Sequence, residues 1–276
     1  MDKRRVTQFL TLILTNANFK GFFEGTIYKG NSKRICVPGM NCYSCPGALG
    51  SCPIGALQSV IGSVRYNISL YVIGYISLIG ILFGRLICGW VCPFGLIQEL
   101  IYKISPKKIK LNIKLDNMLK YLKYALLVIF VIILPMFLTN KFGIGKPYFC
   151  EYICPVGTLE AGLPLVILNK FIRKSIGFLF AWKLVILVVL MILALYINRP
   201  FCRYLCPLGA FYSVFNKISF YKMKIEEDKC IKCGICTKTC EQSIEVYKNP
   251  NSLDCIRCKK CIDKCPQKAI EGKYIL

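Results

Sequence analysis

Residues 230–240, CIKCGICTKTC, and residues 255–266, CIRCKKCIDKCP, share one spacing, Cys-x2-Cys-x2-Cys-x3-Cys. Three cysteines this close on a tight loop bring their sulfurs onto one face of an iron–sulfide cubane. The fourth, on the outgoing segment, reaches a second cubane. The spacing therefore predicts two [4Fe–4S] sites: one held by Cys230, Cys233, Cys236 and Cys265, the other by Cys255, Cys258, Cys261 and Cys240. Glu241 stands where such a run ordinarily carries proline, as Pro266 does in the second half, and the ligands are unaffected. Zinc ribbons use paired Cys-x2-Cys knuckles and have no need of the x3-Cys return.

Outward from this tail the chain changes character. Its 276 residues are 55% hydrophobic, hold 18 cysteines and no histidine, and carry a formal charge of +23; the mean hydropathy is +0.51. The missing histidines exclude His-ligated haem, Cys2His2 zinc, a Rieske centre, a facial-triad iron and any histidine base. Disulfide-dense chains are small and short of apolar core. This one is neither, and its cysteines sit at ligand spacings. There is no nucleophile motif, phosphate loop or HExxH, so an electron-transfer component is expected rather than a stand-alone enzyme.

A lipid-spanning helix takes roughly 20 apolar residues. Runs 68–84, 121–139 and 176–197 come close, and a shorter run, 6–17, follows Lys3, Arg4 and Arg5. No small-residue cleavage site follows that start, so it reads as an uncleaved anchor, with Arg4 and Arg5 as a positive-inside flank rather than a twin-arginine signal. After Phe220 the hydropathy collapses. The expectation is a membrane domain over 1–220, with about four transmembrane helices, and a small α+β 2[4Fe–4S] ferredoxin-like domain over 221–276. Lys103, Lys107, Lys108, Lys110, Lys114, Lys120 and Lys123 place their loop in the cytoplasm, with the tail on the same side. Lys170, Arg173 and Lys174 then fall outside, where an interfacial helix accommodates them. Lys183 interrupts the last span and reads as a snorkelling residue.

The membrane domain repeats a second motif: Cys45-x6-Cys52-Pro-Ile-Gly, Cys88-x3-Cys92-Pro-Phe-Gly, Cys150-x3-Cys154-Pro-Val-Gly and Cys202-x3-Cys206-Pro-Leu-Gly. Each continues alike, through Gln58, Gln98, Glu160 and Tyr212. Proline after the second cysteine sets the first turn of a helix, whose N-terminus favours anionic sulfur. Two such turns complete one four-thiolate site. Topology pairs Cys88 and Cys92 with Cys202 and Cys206 at the inner face. At the outer face six cysteines compete for one cluster. Repeat analogy picks Cys45, Cys52, Cys150 and Cys154, with an all-N-terminal set from the 36–52 stretch as rival. Cys36 and Cys42 are then surplus: a disulfide, a reactive thiol pair, alternative ligands or inert structural cysteines.

These turns, followed by a two-cluster tail, resemble the membrane polyferredoxins of the NapH/NosR type, which include quinol-dehydrogenase accessory proteins of periplasmic nitrate reduction and relatives in nitrous-oxide respiration and oxidase assembly. The resemblance covers 88–265 and implies cluster ligation by Cys88, Cys92, Cys202, Cys206 and the eight tail cysteines. The motif from Cys36 to Pro46 departs from the family's short form and looks like a variant found among anaerobes. The family implies electron transfer through a membrane to an extracytoplasmic partner.

The expected function is a chain of about four [4Fe–4S] clusters crossing a hydrocarbon layer of ~30 Å, from reduced cytoplasmic ferredoxin or flavodoxin to an outer thiol, flavin or metalloprotein. Lysine-rich loops steer acidic carriers and touch anionic lipid; nucleic acid is not needed to explain the charge. An assembly factor reducing a client's metal or cysteine site, and a membrane redox sensor, are the alternatives.

Overall fold

The computed structural model describes residues 3–63, 69–109, 112–141 and 143–274. Ile68, at the start of the first apolar run, and Lys110 of the basic loop lie outside the described residues.

Among the described residues two helices are long and apolar enough to cross a membrane, Lys114–Phe137 and Phe178–Tyr196. The first widens into a π-helix at Leu127–Ile133 just ahead of Pro135, and the helix Leu163–Leu168, with Pro164, follows another π-helix at Thr158–Gly162. Proline lacks the N–H that would continue an i→i+4 ladder, and a re-spaced turn before it absorbs the mismatch.

The helices in the other two expected spans are shorter than the two long ones. Run 68–84 becomes the helix Leu70–Phe83, stopped at Gly84 by a backbone φ of 54°. Its 14 residues rise roughly 21 Å. Run 6–17 becomes Lys3–Thr15, packed on Pro93–Ile104 with Arg4 and Gln8 buried. Arg4 is ion-paired to Glu99, and Gln8 Nε2 donates to Gly89 O at 3.0 Å. Arg4 therefore serves the core and not a solvated flank. Lys170–Lys174 is a short separate helix.

The four repeats share one local geometry. Cys52, Cys92, Cys154 and Cys206 each take an extended N-cap conformation with proline in the first turn of the helix that follows. This aims each sulfur at the free amides of that turn. Gly209 N donates to Cys206 Sγ at 3.3 Å, and the amides of Gly55, Gly95 and Gly157 face Cys52, Cys92 and Cys154 in the same way.

The tail is closed by an antiparallel pair, Tyr221–Ile225 with Ile270–Tyr274, Tyr221 opposite Tyr274 and Ile225 opposite Ile270. Met223, Val246 and Ile270 form its small core around Cys236. Its two halves bend at matching places: Lys232 and Arg257, Gly234 and Lys259, Ser243 and Lys268 all have positive φ.

This tail is docked on the preceding helices by buried polar contacts. The Arg257 guanidinium donates to Phe83 O, Asn216 O and Ser219 Oγ, each at 2.8 Å. Asp254 meets Lys123 at 2.5 Å and Arg85 at 3.4 Å. Glu241, the residue in place of proline, accepts from Asn198 at 3.0 Å and pairs with Lys260 at 2.5 Å. The sequence departure thus serves the docking of the tail.

Candidate metal centres

The two tail quartets assemble as their spacing predicts. One cavity is lined by Cys230, Cys233, Cys236 and Cys265, another by Cys240, Cys255, Cys258 and Cys261. Cys233 is exposed.

The third quartet, here called proximal for its closeness to the tail, brings Cys88 and Cys92 to Cys202 and Cys206. All four are buried. Two fully buried guanidiniums flank them. Arg85 donates to Cys202 O at 3.2 Å, and Arg199 donates to Cys88 O and to Glu99 at 2.9 Å. Arg199 adopts a left-handed backbone, φ 50°, to turn inward. Permanent positive charge in a low-dielectric interior favours anionic thiolates. The turn carrying this quartet abuts the tail. Trp90 Nε1 donates to Arg257 O at 3.0 Å, the Lys259 amine lies 5.1 Å over the Trp90 ring, and a Cβ on Gly89 would fall 2.3 Å from Ile256 O. Only glycine allows the second tail loop so close.

The fourth, distal quartet differs from the repeat-based choice. An open cavity of about 610 Å³ is lined by Cys42, Cys52, Cys150 and Cys154. Cys45 lies outside it, its thiol on Asn16 Oδ1 at 3.6 Å, and Cys36 is buried against Ser51 Oγ at 3.6 Å. The rival all-N-terminal set is not brought together either, because Cys36 and Cys45 face these other partners. Cys52, Cys154 and the proximal four belong to one hydrophobic core with Cys36 and Met40.

The sixth residue after each second cysteine explains the choice of Cys42. Gln58 donates to Cys150 Sγ at 3.2 Å and accepts from Phe149 N at 2.9 Å. Gln98 donates to Cys202 Sγ at 3.1 Å and accepts from Phe201 N at 3.0 Å. Glu160 reaches across to the N-terminal motif in the same manner and accepts from Cys42 N at 2.7 Å. Tyr212 donates to Pro38 O at 3.0 Å. Gln58 and Glu160 thus clasp each other's motifs, Gln98 clasps the Cys202 turn and Tyr212 the N-terminal motif, and Cys42 is the N-terminal cysteine that Glu160 holds at the distal cavity. These four residues were visible in the repeat but had no assigned role. Lys183 is likewise a site residue, its amine donating to Cys150 O at 3.0 Å.

The donor sets fit [4Fe–4S] groups. The tail and distal thiols are grouped four to a cavity, and four thiolates are the donor set of such a group. Burial first, then Glu160, pushes the Cys42 thiol up to about 12. Burial first, then Cys52, does the same at Cys150. Such thiols ionise when a metal takes up their charge. Desolvation in this half-buried position raises the Glu160 carboxyl to about 8.

A 4Fe-4S binding domain family matches residues 64–112, 122–178 and 179–226, and a second 4Fe-4S binding domain matches 250–271. The chain is 33% identical over 231 residues to an uncharacterized protein of Methanocaldococcus jannaschii, covering 81% of this chain and 86% of that one. A second uncharacterized protein of that organism is 29% identical, with 68% and 63% covered. The ferredoxin-type protein NapH of Haemophilus influenzae is 27% identical, with 69% and 63% covered. The chain thus spans somewhat under two thirds of the last two relatives. No solved structure matches.

Proposed function

The chain belongs to the 4Fe-4S binding domain family of NapH/NosR-type polyferredoxins, and from that premise we propose that it carries electrons through a membrane, from a reduced cytoplasmic carrier to an extracytoplasmic acceptor. One observation carries the reading: the four cysteine quartets form an unbroken series. The tail pair shares one small core, the second tail loop packs on the Cys88–Cys92 turn, and the proximal quartet shares its core with the distal one. Bound [4Fe–4S] clusters, four on this assignment, supply one-electron redox capacity. The chain supplies spacing, charge and exclusion of water.

Helix Phe178–Tyr196 gives the scale. Lys183 meets the distal quartet, and Asn198, just past the end of the helix, donates to Glu241 of the tail. The intervening helix rises roughly 20 Å, against a hydrocarbon layer of ~30 Å. The ferredoxin-like tail, residues 221–276, is assigned to the cytoplasm by the lysines beside it. A groove lined by Lys224, Lys232 and Lys248, with Glu227, reaches Cys230. Its positive balance suits an acidic ferredoxin or flavodoxin.

The test is a proteoliposome in which reduced ferredoxin is added on the tail side and an impermeant acceptor is trapped inside. Expected is acceptor reduction that slows as salt rises. The anaerobically purified protein should hold about 16 irons. About 8 irons, with no transfer across the bilayer, would leave an anchored ferredoxin and overturn the proposal.

A further inference from the structure

We propose that residues 38–42 are the electronic bridge between the proximal and distal thiolate quartets, with the backbone of Met40 as its narrowest link. The inference rests on the electron-transfer reading above.

The segment threads between the two sites. A Cβ on Gly39 would lie 3.1 Å from Cys92 Cα, so the strap touches the proximal turn there. Met40, 2% exposed, lines the distal cavity. Consecutive amides then face different partners. Met40 N–H is aimed at Cys92 Sγ, Asn41 N–H at Cys52 Sγ, and Cys42 N–H at Glu160. Only one residue, spanning at most about 3.6 Å, separates the amide serving one quartet from the amide serving the other.

The strap is held in place from several directions. Val37 N donates to Ser51 O and Ser51 N to Ile35 O, both at 3.0 Å. Tyr212 fixes Pro38 O, and Asn41, fully buried, donates to Thr15 O at 3.4 Å. This anchoring matters because electronic coupling through bonded atoms and amide–sulfur contacts exceeds coupling across a gap of equal length. Amides facing sulfur also set the potential of the group those sulfurs hold. The strap belongs to the stretch from Cys36 to Pro46 that departs from the family's short motif. Its residues therefore have a use beyond supplying Cys42.

The experiment uses the full chain with its clusters, comparing Met40→Pro and Asn41→Pro with the parent. Each substitution deletes one amide proton and keeps every cysteine. Iron content, the EPR-monitored potential of each centre, and the rate of transfer from proximal to distal quartet after rapid reduction of the tail are read together. Expected is unchanged iron, transfer slowed by about tenfold or more, and a lowered potential at the proximal centre alone for Met40→Pro and at the distal centre alone for Asn41→Pro. A rate within about twofold of the parent, with iron intact, overturns the bridge. If a proline variant loses iron, Gly39→Ala decides. Its added Cβ presses the strap away from Cys92, and severalfold slower transfer supports the bridge while an unchanged rate overturns it. A parent protein that never reduces its distal quartet overturns the electron-transfer reading itself, and the bridge with it.

Discussion

The proximal and distal quartets come from the same repeat, yet they are walled differently. Around Cys88, Cys92, Cys202 and Cys206 every sulfur-bearing residue is buried, and the flanking charges are the guanidiniums of Arg85 and Arg199. Around Cys42, Cys52, Cys150 and Cys154 two cysteines are only half-buried, the wall opens into a cavity, and the charged neighbours are Lys33, Lys183 and a carboxyl, Glu160. A Cys-Pro-x-Gly turn fixes where the thiols sit, while the side chains facing it decide whether the site is sealed or accessible. A sealed, positively flanked centre suits a relay, and an open one suits exchange with something outside the chain.

The strongest break of this comparison is at the ligands. Cys88→Ser should remove one cluster and stop delivery beyond the tail. Cys42→Ser should remove one cluster and leave transfer as far as the proximal site intact, and Cys45→Ser should leave the iron content unchanged. Iron counting with EPR reads all three, and a loss with Cys45→Ser but not Cys42→Ser would reverse the distal assignment.

Next come the charges. Arg199→Leu leaves Glu99 in the core short of a partner, and breaking a buried ion pair costs about 3–5 kcal/mol, read as lowered thermal stability. Lys183→Leu at the open site loses one hydrogen bond, worth about 1 kcal/mol. Equal losses would mean that the two walls are not different in kind.

The clasping glutamines should act alike at both sites. Gln98→Leu and Gln58→Leu each delete a donor to sulfur, a bond to charged groups worth about 1.5–3 kcal/mol. Each should lower the potential of its own centre by some tens of millivolts and leave the other centre unmoved in an EPR-monitored titration.

The smallest effect sharpens the difference in access. In cluster-free protein a polar alkylating reagent should label Cys42 and Cys150 ahead of the four proximal cysteines, as peptide mapping over time would show. Equal labelling rates would contradict the sealed wall.

The grouping of the tail cysteines was legible, because local spacing and the bends repeated at Lys232 and Arg257 set it. The proximal quartet was legible too, since two identical Cys-x3-Cys turns on the same side can only meet each other. The distal site was half-legible. An insertion within the N-terminal motif breaks the spacing, and the register is fixed from a distance, by Glu160 reaching Cys42 N. The sixth residue was visible in the aligned repeats, but it acts on a segment distant in sequence, and no local pattern carries that. The bounds of the short helices were not legible for a related reason: Gly84 stops Leu70–Phe83, and Arg4 turns from Lys3–Thr15 to pair with Glu99.

The strand pair Tyr221–Ile225 and Ile270–Tyr274 fixes an order of assembly during biogenesis. The first tail quartet cannot close until Cys265 has been synthesised, and its cage cannot be zipped shut until Tyr274 has left the ribosome. Closure of the first cage therefore waits on both halves of the tail, because its last cysteine and its closing strand come from the second half.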